Sequence, residues 1–330
     1  MTRLEARERR NPLWGYFGLS LALLGAMLYG LRSGDVGMEL ADVARMLAAG
    51  PRADVSDSFL HTVIWQIRLP RVLASAAAGA ALSACGVIFQ GVLRNPLAEP
   101  YTLGVASGGA FGAACAITAG LPWITSAAFI GAMSALFLVW TLGQREGETD
   151  IARIVLAGVA VSSILGAGLT LIKSLAGDKV ALIVIWLMGS FSAASWRDLL
   201  PLSLALCVVL TVSLTHVKEL DIMASGASGL ALGMDDARKR PFLLSAASLA
   251  VAFVVSRFGV IGFVGLVVPH LLRLIFGPPH IRLLPLSMLG GAALLCAADT
   301  LAKNLNELPV GVLTVLIGGP VFCVLLWNRR

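Results

Sequence analysis

Charged residues are missing from ten long stretches of this chain, at 11–31, 72–93, 100–144, 154–172, 180–196, 199–217, 241–256, 258–272, 283–298 and 308–328. About 20 apolar residues carry a helix across the hydrocarbon core of a bilayer, and shorter runs suffice inside a bundle. The stretch 100–144 is long enough for two helices and is broken at Gly120-Leu121-Pro122, so the pattern predicts eleven apolar segments. The longest polar stretches, 32–62 and 217–240, are too short for a separate soluble domain.

Lys and Arg decide which segments cross, because they collect on the cytoplasmic side. If 180–196 stays on the outer side, ten spans result with both termini inside. Then Arg3, Arg7, Arg9, Arg10, Arg94, Arg145, Arg153, Lys218, Arg238, Lys239, Arg240, Arg273, Arg282, Arg329 and Arg330 are cytoplasmic, 15 of 25. If 180–196 crosses, every later loop flips and only 10 of the 25 remain inside. The charge pattern therefore predicts an all-α polytopic membrane protein of ten transmembrane helices, with a short re-entrant or interfacial helix between spans five and six. It reads as one membrane domain over 1–330, with a cytoplasmic tail at 1–10 and a cytoplasmic loop at 219–238.

Composition agrees: 58% of residues are apolar, 13% are charged and the mean hydropathy is +0.86, which excludes an ordinary water-soluble globule. The opening MTRLEARERR is charged and precedes a long apolar run without a small-residue cleavage site, so it reads as the start of an uncleaved span. The net charge of +6 is what loops facing anionic lipid require, and no nucleic-acid partner is implied. Cys85, Cys115, Cys207, Cys296 and Cys323 stand singly in apolar segments, and His61, His216, His270 and His280 are isolated, so no metal site is expected. Gly104, Gly108 and Gly112 recur every fourth residue, which predicts a flat face for close helix contact.

Energy coupling is absent from the chain. Lys173, Lys179, Lys218, Lys239 and Lys303 each follow a residue other than Gly, so there is no Walker A motif. No Asp or Glu interrupts the middle of an apolar run, which disfavours an ion-driven carrier. HExxH and paired mid-span carboxylates are missing too, leaving an enzyme the weakest reading.

Three stretches go further: RLPRVLASAAAGAALSACGVIFQGVLRNPLAEPYTLGVASGGAFGA at 68–113, IGFVGLVVPHLLRL at 261–274 and ELPVGVLTVLIGGPVFCVLL at 307–326. With IVLAGVAVS at 154–162 and WLMGSFSAASW at 186–196, they resemble the FecCD/BtuC-like permeases of ATP-driven importers for iron chelates, haem and cobalamin. The resemblance implies a ten-span permease subunit of the bacterial inner membrane that pairs with a second permease, usually an identical copy. Two cytoplasmic ATPase subunits, which bind ATP and Mg, would attach below, and a periplasmic substrate-binding protein would dock above. No cofactor is implied for this chain.

By the same resemblance, Arg68, Arg71 and Lys303 are expected to serve binding-protein docking. Met223, Ala227, Leu230, Leu232 and Gly233 would lie in the segment seated on the ATPase, with Ala227 where relatives often carry a carboxylate. Asn95 and Leu97 would help close an inner gate whose other side is Ile151 and Ala152, and Ser162, Ser163, Gly166 and Thr170 would line the pathway. Each also has a plainer reading: arginines anchoring a helix end at headgroups, a solvated basic loop, an Asn-Pro turn and ordinary small-residue helix contact. Pro269 and His270 read as a kink and a buried histidine.

Overall fold

The computed structural model describes residues 11–52, 58–145, 148–149, 151–226 and 234–327. The first helix, α1 (Pro12–Arg32), begins where Asn11 Oδ1 accepts the Leu13 N–H at 3.0 Å and Pro12 occupies a position that needs no donor. Its polar follower carries an amphipathic helix, α2 (Leu40–Ala49), which buries Val43 and Met46. A short α3 (Ser58–Thr62) runs through a π-helical turn, Val63–Arg68, straight into α4 (Leu69–Val92). Nearly every residue of α4 is buried, so this helix is the hub of the bundle.

The hub is approached closely because its surface is built from Ala, Gly and Ser. A methyl group added to Gly86 would collide with the Gly265 carbonyl. In lipid, where apolar surface gains nothing by leaving the solvent, such backbone approach is what holds helices together.

After a 3₁₀ turn at Pro100–Leu103 come α5 (Val105–Ala119), α6 (Ile124–Gly143), a two-residue antiparallel ladder of β1 (Gln144–Arg145) and β2 (Glu148–Thr149), and α7 (Ile151–Leu175). Then follow a 3₁₀ turn at Gly177–Lys179, α8 (Val180–Leu187), α9 (Trp196–Thr215), α10 (Val217–Ser225), α11 (Asp236–Phe258), α12 (Val264–Phe276), α13 (His280–Asn304) and α14 (Val310–Trp327). Helices α9, α11, α12 and α13 surround α4.

Among the described residues, seven helical stretches are long and apolar enough to cross a membrane: α1, the continuous rod over 58–92, α6, α7, α9, α11 and α13. Helices α5, α12 and α14 are apolar but shorter. The segment 180–196 forms a helix of only 8 residues. At 1.5 Å per residue it reaches about 12 Å, far below the ~30 Å of a hydrocarbon core.

The glycine face needs one correction. Gly108 and Gly112 do meet α6, at Gly131 and Ala127, but Gly104 does not share that contact. It caps the start of α5 at φ +76° and faces Ser162 and Val161 of α7, because the helix begins only at Val105.

Candidate functional site

Polar groups gather at the two ends of the bundle and at one level between them. At the first end, the π-helical turn hands Arg68 to the interior, where it donates to the Leu31, Arg32 and Val36 carbonyls at 2.8, 3.0 and 2.6 Å. One turn on, Arg71 grips Asp299 of α13 with two hydrogen bonds, 2.8 and 3.1 Å, and reaches Glu307 at 2.8 Å. Lys303 donates to the Gly30 carbonyl at 2.7 Å. The three cations expected to meet a docking protein are thus engaged within the chain. The group this network shows to solvent is Glu307, half exposed and held at φ +57°.

At the opposite end, α10 is fastened to three long helices. Arg94, just past α4, donates to the Met223 carbonyl at 2.9 Å, and Lys239 of α11 pairs with Glu219 at 3.3 Å. The N-terminus of α13 closes on Asp221, whose Oδ1 accepts the His280 backbone N–H at 2.9 Å and lies 2.6 Å from His280 Nδ1. Burial works to raise the Asp221 pKa, but the hydrogen bonds and charge of His280 outweigh it and hold the carboxyl below the ordinary aspartate range. Met223 is buried here, while Ala227, Leu230, Leu232 and Gly233 lie outside the described residues.

At this same end, the Asn-Pro turn after α4 is tied by Asn95 Oδ1 accepting the Leu97 N–H at 3.0 Å, with Leu97 exposed. Helix α4 has already stopped at Val92, before the proline. Ile151 and Ala152 start α7, and further along that helix the Thr102 carbonyl abuts Gly158. Of the expected pathway residues, Ser162 faces Gly104. Ser163 and Thr170 are exposed and turn their hydroxyls back onto the Val159 and Gly166 carbonyls, and the Gly166 α-carbon faces open space.

One acidic residue escaped the pattern. Glu99 sits in the loop between two apolar runs, yet the chain folds back so that its Oε1 accepts the Phe263 N–H at 2.8 Å, at the entry to α12. Tyr101 clasps the same loop, accepting from the Ile261 N–H at 3.1 Å and donating to the Ile261 carbonyl at 2.6 Å. Glu99 is the carboxylate on the wall of an otherwise apolar cavity of about 410 Å³, shared with Met188, Phe263, Val315 and Leu316. Backbone hydrogen bonds from Val310 and Gly311 to Gly189 and Met188 tie α14 and the loop after α8 to this level. The Glu99-Pro100 step following Asn95-Pro96 was the available signal, since two prolines so close forbid a continuous helix and allow re-entry.

No group of three or more His, Cys, Asp or Glu residues suited to a metal ion occurs among the described residues.

Comparison with known proteins completes the picture. Residues 22–328 match the FecCD transport family. The cobalamin import system permease protein of Halobacterium salinarum is 41% identical over 277 residues, 82% of this chain and 74% of that protein. The hemin transport system permease protein of Yersinia pestis is 40% identical over 291 residues, 83% of this chain and 86% of its own. A solved metal-chelate type ABC transporter in an inward-facing conformation superposes with a TM-score of 0.80 at 31% identity, over 94% of this chain and 98% of that one.

Proposed function

The chain belongs to the FecCD transport family and is a permease of ABC importers, and we propose that it passes a metal chelate inward across a bacterial inner membrane, iron(III)-siderophore or haem first and cobalamin second. The observation that carries this reading is the likeness to the metal-chelate type transporter over nearly the whole chain.

Ten spans are part of the proposal: α1, the 58–92 rod, α5, α6, α7, α9, α11, α12, α13 and α14. The separation of the polar networks supports it, with Arg71, Asp299 and Lys303 at one end and Arg94, Asp221 and Glu219 at the other. The second end is cytoplasmic in this reading, and both termini lie on that side. A second copy of the chain covers α7 and α14, two ATPase subunits seat against α10 and the 227–233 segment, and a binding protein docks over Arg68, Arg71 and Lys303. Acidic groups of that protein compete with Glu307 for Arg71, which steers and orients docking. ATP and Mg stay on the ATPase, and this chain holds no cofactor.

The chain's own work is mechanical. Closure of the ATPases pushes α10, and its three fastenings pass that displacement to α4, α11 and α13 as a rigid-body motion. The turn at Asn95–Leu97 then opens or shuts against the start of α7, where Ile151 and Ala152 offer an apolar constriction.

Uptake into proteoliposomes tests this, with the chain, its ATPase and its binding protein supplied with ferric siderophore, haem or cobalamin in turn. One cargo should enter only when ATP and all three proteins are present. Entry driven by an ion gradient with no ATPase would overturn the reading and turn attention to Glu99 as a proton site.

A further inference from the structure

Helices α6 and α9 both lean on α11 and leave a slot between them. At the Arg71 end of the bundle this slot opens as a crevice of about 330 Å³, walled by Phe129, Ile130, Leu202, Phe253 and Phe258. A second cavity of about 640 Å³ adjoins it through Thr125, Arg257 and Phe258, and brings Lys179, Ser190 and Ser192 to the mouth.

Arg257 stands at the junction of the two. Its Nε and Nη2 hold Asp198, and Nη2 also reaches the Ala193 carbonyl at 3.2 Å. Its Nη1 has no acceptor among the described residues, and the side chain is about one-third exposed. Lys179 donates one N–H to the Thr118 carbonyl at 2.8 Å, which leaves two free at the same mouth. Two cations face one carboxylate there, directly above an apolar slot that runs down between helices.

We propose that this is a phospholipid site: a lipid phosphate is held by Arg257 Nη1 and Lys179 Nζ, with an acyl chain in the slot between α6 and α9. A guanidinium pairs with phosphate through charge-assisted hydrogen bonds that strengthen where water is scarce. A molecule with an anion at one end and a long apolar tail matches the lining of both cavities, and the bilayer around the chain supplies it. The site depends on that bilayer and not on the cargo, so its failure would leave the transport reading untouched.

Native mass spectrometry of the purified full chain, titrated with phosphatidylglycerol, tests the assignment. The wild type should retain one lipid through delipidation. The double substitution Arg257→Gln with Asp198→Asn removes both charges without leaving either alone, and should weaken retention about tenfold. Ser126→Trp blocks the slot from an exposed position and should release the lipid while both cations remain, so it carries the test if the double variant does not fold. Diacylglycerol, which lacks phosphate, should bind no better to the wild type than phosphatidylglycerol binds to the double variant. Equal retention by all three proteins, or equal affinity for diacylglycerol, overturns the proposal.

Discussion

Arg71 holds two carboxylates that weigh very differently. Asp299 is 4% exposed at its side chain and Glu307 is 50% exposed, although both lie 2.8 Å from the guanidinium. Removing one member of a buried pair strands a charge away from water, which costs about 3–5 kcal/mol, whereas an exposed pair is worth about 1 kcal/mol or less. In thermal unfolding of the purified protein, Arg71→Ala should therefore be far more damaging than Glu307→Ala. The double variant Arg71→Ala with Asp299→Ala should be milder than the sum of its parts, since neither charge is left alone. Additive losses would show that the two residues do not form a unit. Glu307 opens one of the stretches that marked the resemblance, but its partner stands 236 positions away. Glu99 was missed for a related reason. A scan of apolar runs treats the residues between them as loop, and Glu99 reaches the interior only because that loop turns back in.

Helix α10 is the element through which an attached ATPase would act. Its grip on α13 rests on Asp221, and the sign of that contact with pH is fixed by the lowered pKa. A carboxyl whose folded pKa lies below its unfolded value of about 3.9 stabilises fully above that value and loses its contribution as pH falls through the folded one. Hydrogen exchange of the α10 amides should thus be equally protected at pH 7 and pH 5, once corrected for intrinsic rate. Asp221→Ala should loosen the helix and lower cargo uptake several-fold per ATP hydrolysed, with hydrolysis itself retained. Uptake and hydrolysis falling in proportion would mean that α10 is a structural brace rather than a lever. The polar stretch 217–240 marked an element outside the apolar runs, yet the three fastenings join residues whose separations, 129 for Arg94 and 59 for His280, leave no trace in periodicity.

For the whole molecule, the face of α7 that carries Ile164 and Leu171, 71% and 61% exposed, is where a second copy is expected to lie. An arginine placed in such a contact meets apolar surface on both sides and costs about 2.5–3.5 kcal/mol near the middle of a membrane helix. Ile164→Arg, near the centre of α7, should convert a dimer to a monomer in light scattering of the detergent-solubilised protein, with helicity unchanged. A dimer that survives would place the pairing surface on another face.

The amino-acid sequence by itself determined which segments are apolar helices and the break at Gly120. Its charge distribution predicted that 180–196 does not cross, where the helix is only 8 residues long, and its spaced motifs marked the family. These properties are legible because they are local: hydropathy, helix-breaking residues and the sign of flanking charges act within a few positions. Only the tertiary structure decided that Arg68 and Arg71 turn inward, that Gly104 serves α7 rather than the α5–α6 contact, and that Glu99 enters the interior. Each of those outcomes depends on which distant backbone or carboxylate arrives to satisfy a buried polar group, and that requirement is met in three dimensions rather than along the chain.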